Sequence, residues 1–127
     1  MSLPFDPAYG LIVVPVRLEG TTNTIITRLA LDTGATTTLV SQHILGLLGY
    51  DPDAATQRQP ISMGNGITFA PYVSVVRIAA LGQERRDFSV IAHTLPSTSS
   101  VDGVLGLDFL RNQRLLIDFR LGLVLLD

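Results

Sequence analysis

One tripeptide in this chain has the residue types for acid–base chemistry: Asp32-Thr33-Gly34, set in the run from Arg28 to Val40. The carboxyl group follows the apolar residues Leu29, Ala30 and Leu31 and precedes a glycine that permits a tight turn. A second apolar pair, Leu39-Val40, closes the run. Such a pattern carries an acid at a strand end into a partly dry site. The tripeptide occurs once in 127 residues, so chemistry with two carboxylates requires a second copy of the chain. Asp and Gly are also ordinary turn formers, and the tripeptide gains meaning only from its context.

The context includes a second glycine motif, Gly103-Val-Leu-Gly106-Leu-Asp-Phe-Leu110. Alone it reads as a glycine-hinged strand-to-helix turn packed in the core, because it presents no nucleophile or base. Asp102 and Asp108 beside it read as solvated or capping carboxylates rather than catalytic ones. His43 and His93 read as surface or packing residues. Arg85-Arg86 reads as a solvated pair at a turn.

Other chemistries are absent from the inventory. The chain has no Cys, which removes disulfides, thiolate nucleophiles and thiolate metal sites. All nine basic residues are Arg, so no Schiff-base or Walker lysine exists. There is neither a His-Glu-x-x-His pattern nor a Gly-x-Ser-x-Gly elbow. We expect no metal and no cofactor. The net charge of −2 argues against nucleic acid as a partner, since neutralising phosphates needs a basic face.

The elements that must position Asp32 are short apolar runs separated by Gly, Pro and Asn, a mostly β pattern. Residues 11–18 and 24–31 read as strands joined by a turn at 19–23. Residues 37–40 form a short strand beyond the Asp32 turn. Ser41 then caps a short helix over 42–48, with Gly49 just past its end. Residues 60–76 read as a hairpin whose two-residue turn is Asn65-Gly66. Strands at 73–80 and 87–93, a helix at 107–112 and a last hairpin over 115–126 complete the chain. The apolar run 121–126 would be a risky exposed edge unless a dimer sheet buries it.

Length and composition fit one domain over 1–127, with residues 1–10 as a loose N-terminal extension. A chain this size buries about two-thirds of its unfolded surface. Apolar residues make up 46% and charged residues 16%, so the chain is globular rather than disordered. Its apolar runs are far shorter than the roughly 18 residues of a membrane span. The start, Met1-Ser-Leu-Pro-Phe-Asp-Pro, lacks the basic and apolar regions of a signal peptide. We expect a soluble domain without membrane contact of its own. The compartment, cytoplasmic or periplasmic, and a tether outside the chain stay open.

Three segments taken together resemble a family. They are Ala30-Leu31-Asp32-Thr33-Gly34-Ala35, the hairpin with Gly64 and Gly66, and Val104-Leu105-Gly106. Their order is similar to that of retropepsin-type aspartic peptidases, most like the cellular, bacterial and retroelement members. The resemblance spans about residues 14–126. It implies a closed, mostly β barrel protomer with one or two short helices, forming a two-fold dimer. Asp32 of each protomer would form the catalytic pair. Thr33 would hydrogen-bond across the axis, and Gly34 would let a substrate strand approach the backbone. Ala35, Val104, Leu105 and Gly106 would support the catalytic loop. The hairpin bearing Met63, Gly64, Asn65, Gly66 and Ile67 would be a mobile flap. Residues 115–126 would add strands to the dimer interface.

The chain departs from the viral pattern at one pair of places. Viral enzymes often set an acid after the Asp-Thr-Gly-Ala run and an Arg after the downstream glycine. Thr36 and Leu107 stand there instead, so support for the loop is expected from the hydroxyls of Thr36, Thr37 and Thr38.

The expected function is endopeptidase hydrolysis of an extended peptide or protein, with a water activated between two Asp32 carboxylates. An acidic optimum and inhibition by statine-type compounds follow. The alternative is a catalytically silent module of this fold that dimerises or binds a peptide by strand addition.

Overall fold

The computed structural model describes residues 2–63 and 65–127; Met1, Gly64 and the side chain of Met63 lie outside the described residues. Two strands begin the barrel. β2 spans Val13–Glu19 and β3 spans Thr24–Leu31, paired antiparallel from Val13↔Ala30 to Glu19↔Thr24. Side chains alternate across a strand, and β2 follows this closely: Val14, Val16 and Leu18 are fully buried. Pro15 lacks an amide hydrogen, and it lies where β2 has a neighbour on one side only. The buried Thr27 hydroxyl on β3 donates to Val16 O at 2.8 Å, so its polar group is satisfied.

The sheet continues through β8 (Gly103–Leu105), β4 (Leu39–Ser41), β7 (Gln83–His93) and β6 (Gly66–Ala80). β8 runs parallel to β3 and antiparallel to β4. β6 then returns to β2 through Arg17↔Ala79, Leu18↔Ile78 and Glu19↔Arg77, closing a barrel of six strands. Closure removes free sheet edges. β5 (Arg58–Met63) lies outside the closed ring and pairs only with the first part of β6. The interior is filled by Leu18, Leu29, Ile78, Leu105 and Phe109, and by Leu45 and Leu48 from the α1 region.

Helix α1 (Gln42–Leu47) starts as expected. The Ser41 hydroxyl accepts the His43 amide at 3.2 Å, and Gly49 follows with φ +93°. Residues 52–54 add one 3-10 turn, and α2 (Leu107–Leu110) is a single helical turn.

Four sequence expectations change. Residues 1–10 are not wholly loose: β1 (Ser2–Pro4) pairs with β10 (Leu123–Leu126) through Ser2↔Leu125 and Pro4↔Leu123. β10 is consequently not an edge, because β9 (Leu115–Asp118) covers its other side and Val124 and Leu126 are buried. The hairpin turn is displaced, since Met63 pairs with Gly66 and Gly66 thus begins the returning strand. Finally, residues 66–80 form one strand rather than two, because β6 serves both β5 and β7.

Among the described residues no helix is long and apolar enough to cross a membrane. Arg114 and Asp127 clasp the β9–β10 hairpin by two hydrogen bonds of 3.0 and 2.7 Å. That bonding holds the Asp127 carboxyl below its ordinary range and the Arg114 guanidinium above its own.

Candidate functional site

The backbone carries Asp32 to the end of β3 and holds it there. The Leu31 amide donates to Ile12 O at 2.8 Å and the Asp32 amide to Leu105 O at 3.0 Å. The chain then turns. Gly34 N–H donates to Asp32 Oδ1 at 2.9 Å, and Ala35 N–H donates to Asp32 O at 3.2 Å. An aspartate that binds an amide two residues on is a common device for tightening a turn. Asp32 is half-buried, while Thr33 and Gly34 are exposed at the tip.

The loop is pinned from behind by β8 and α2. Leu107 N–H donates to Ala35 O at 2.8 Å, and Gly106 N–H donates to the Thr38 hydroxyl at 3.0 Å. That hydroxyl in turn donates to Asp108 Oδ1 at 2.7 Å. The Thr38 amide reaches both Asp108 oxygens at 3.0 Å, and the Phe109 amide adds a further bond at 3.0 Å. Of the three hydroxyls expected to support the loop, Thr38 is the one engaged; it is fully buried.

Asp108, read as a solvated or capping carboxylate, accepts backbone amides and so anchors the loop. Asp102, read in the same way, is also bound to the backbone. Its carboxylate accepts the Arg28 amide at 2.9 Å, and its carbonyl accepts the Ser41 amide at 2.8 Å, joining β3 to β4.

Close backbone approach explains two glycines. A Cβ on Gly106 would lie 2.8 Å from Ala35 O and 2.9 Å from the Thr37 carbonyl carbon. A Cβ on Gly103 would collide with Leu39 O. Both sites admit glycine alone without displacing the backbone of the 35–39 segment. Leu105 is fully buried behind the loop, and Val104 is half-buried between Ala30 and Leu39 in the sheet register.

A groove of about 870 Å³ opens beside the loop. Its walls are residues 34–37 and Leu39 on one side, 59–62 of β5 on another, and Ile91 with residues 93–96. The site residues named from sequence divide accordingly. Gly34 and Ala35 line the groove, and Asp32 and Thr33 stand at the loop that borders it. Asn65, Gly66 and Ile67 are exposed at the far end of the β5–β6 hairpin and do not line the groove. Gly64 and the Met63 side chain lie outside the described residues. Sequence reading did not single out Gln59, Ile91 or residues 94–96, and it took His93 for a surface or packing residue. Their only signal is register, because Ile91 and His93 share a face of β7.

Among the described residues no cluster of three or more His, Asp or Glu side chains is placed to hold a metal ion. The groove wall offers hydroxyls, amides and apolar groups, with one imidazole. This arrangement suits an extended chain that hydrogen-bonds through its backbone.

No curated protein matches the chain by sequence. Among solved structures, the chain is similar to a retropepsin-like aspartic protease from Rickettsia conorii, at a TM-score of 0.72 and 17% identity. That match covers 99% of this chain and 88% of the other. At that identity the likeness establishes a retropepsin-like fold. Residues 17–112, most of the chain, match the family described as gag-polyprotein putative aspartyl protease. On the strength of that match, the chain belongs to this aspartyl protease family.

Proposed function

We propose that this chain is an aspartic endopeptidase in which Asp32 and Asp32 of the partner subunit form one catalytic pair. The observation that carries the reading is the setting of Asp32. It stands on a loop fixed from behind and beside a peptide-sized groove, yet one chain brings a single acid there. Amide hydrolysis by carboxyl groups needs a base for the water and an acid for the carbonyl oxygen. Two copies of Asp32 supply both.

Two carboxyl groups at hydrogen-bond distance do not both ionise cheaply, so they share a proton and titrate together. That sharing is the general property of aspartic-protease pairs. The ionised carboxylate takes a proton from water as its oxygen attacks the scissile carbonyl carbon. The protonated carboxyl gives its proton to the carbonyl oxygen. The tetrahedral diol then collapses: one of its hydroxyls returns a proton to the pair, the C–N bond breaks, and the nitrogen leaves with the pair's other proton.

Thr33, exposed at the loop tip, donates to the partner's loop, and Gly34 lets the substrate backbone pass close. Ala35, Val104, Leu105 and Gly106 hold the loop in place. The hairpin of residues 61–70 closes over the groove as a flap, with Asn65, Gly66 and Ile67 towards its far end. The exposed side chains of Leu116, Phe119 and Leu121 on the β9–β10 hairpin are the surface offered to the second copy.

The test is digestion of a peptide library between pH 3 and 7, with and without a pepstatin-like inhibitor. Inhibitable cleavage that disappears in Asp32→Asn, with the fold retained, is the expected result. A confirmed dimer that cleaves nothing overturns the reading in favour of a silent peptide-binding module.

A further inference from the structure

We infer that His93 is a specificity-determining residue that selects an acidic side chain of the substrate, a reading that rests on the proposed peptidase groove. The placement comes from strand periodicity. Ile91 and His93 are two apart on β7 and both face the groove, while Ala92 between them is fully buried on the other side. His93 is the last residue of β7, held in register with Ser41 of β4. The residue as a whole is half-buried.

The wall around it is uncharged. Its other polar members are hydroxyls and an amide, such as Thr36, Thr37, Ser62 and Gln59. His93 is the one ionisable side chain among the described lining residues. The ion pairs of the described residues join Arg to Asp or Glu, and none uses His93. The charged or titratable groups on adjacent elements are His43 on α1, Tyr72 on β6, Arg58 at the start of β5, Asp102 before β8, and Asp32 on the loop that borders the groove. The Asp102 carboxylate is already engaged with the Arg28 amide.

Imidazole is the side chain whose charge changes near neutral pH, and as imidazolium it has two N–H donors. A substrate Asp or Glu entering this part of the groove therefore meets an N–H donor that can carry charge, in a wall whose other lining side chains are uncharged. Charge-assisted hydrogen bonds are roughly twice as strong as neutral ones. Glutamine of the same length brings no negative charge, so it forms the hydrogen bond without the ion pair, and the groove discriminates Glu from Gln. The expected preference is about tenfold, which corresponds to roughly 1.4 kcal/mol.

The probes are octapeptide libraries that carry Glu or Gln at one position at a time. Two readouts are taken at pH 5. The first is the ratio of kcat/KM for Glu against Gln peptides with the parent protein, His93→Gln and His93→Arg. The second is the same ratio of binding affinities measured by fluorescence anisotropy on Asp32→Asn, alone and combined with His93→Gln. At one position we expect a preference for Glu of about tenfold. It collapses towards unity in His93→Gln and persists in His93→Arg, which supplies a cation. A preference that survives His93→Gln, or no preference in the parent, overturns the inference while leaving peptidase activity intact. If the parent cleaves neither library, the peptidase reading fails, and the affinity ratios still decide whether His93 selects the acid.

Discussion

Asp108→Ala removes the acceptor that holds the Asp32 loop from behind. The carboxylate receives the Thr38 hydroxyl at 2.7 Å, the Thr38 amide at 3.0 Å and the Phe109 amide at 3.0 Å. A hydrogen bond to a charged group contributes about 1.5–3 kcal/mol, and an orphaned buried donor costs about 1–3 kcal/mol. Thr38 is fully buried, so its amide and hydroxyl lose their partner without ready access to water. Asp108 is half-buried, and water replaces part of the loss near Phe109. Bonds made by one carboxylate are not additive, so the expected total is about 3 kcal/mol rather than the sum of three. For a domain of this size that lowers the melting temperature by roughly 10 °C. Asp108→Asn keeps one acceptor oxygen and costs about 1 kcal/mol. Urea titration with an unchanged m-value measures both. Amide exchange of Thr38 and Gly106 should accelerate more than that of Val14, which lies across the barrel. A double-mutant cycle with Thr38→Val isolates the link, with a coupling of at least about 1 kcal/mol expected. Asp108→Ala within about 0.5 kcal/mol of the parent, or strict additivity with Thr38→Val, would refute the anchoring role.

Other changes probe other links. Gly106→Ala places a methyl 2.8 Å from Ala35 O, a backbone atom that cannot swing away. We expect a loss of about 1–3 kcal/mol by denaturation and a displaced Asp32 loop by NMR shifts; a neutral variant would disprove the close approach. Leu121→Asp replaces an apolar side chain that is 68% exposed, so the isolated chain should tolerate it. Sedimentation should nevertheless show monomers where the parent forms dimers; unchanged dimers would move the interface elsewhere. Asp127 has its carboxyl lowered first by hydrogen bonding to Arg114 and secondarily by that charge, with desolvation opposing. Its folded value lies below its unfolded one, so its contribution is present above the unfolded value and is lost as pH falls through the folded one. Carboxyl NMR should give a midpoint below the ordinary Asp range that returns to it in Arg114→Gln; equal midpoints would rule out the clasp.

The parts legible in the sequence are those fixed by local chemistry. β3 runs from Thr24 to Leu31 as read, because its apolar content and flanking turn are local. Ser41 caps α1 because its hydroxyl reaches an amide two residues away. What escaped reading depends on distant partners. β1 is three residues long, includes Pro4, and becomes a strand only because β10 lies beside it. The Asn65-Gly66 turn follows a sound local preference, yet the β5–β6 register overrides it. Asp108 looks like any helix-start acid until Thr38, 70 residues earlier, comes to meet it. His93 is likewise unremarkable until β4, β5 and β7 are placed around one groove. The retropepsin-like barrel was legible through the order of its glycine motifs, which reflects Gly103 and Gly106 packing against the 35–39 backbone.

The central claim is that Asp32 acts only in a pair, and subunit mixing tests it directly. Parent and Asp32→Asn chains are combined in varying proportion, allowed to exchange, and assayed at constant total protein. If each site needs both carboxylates, activity follows the square of the parent fraction, so an equal mixture retains roughly a quarter of full activity. Activity that falls in simple proportion, to roughly half, would mean that one Asp32 suffices and would contradict the account.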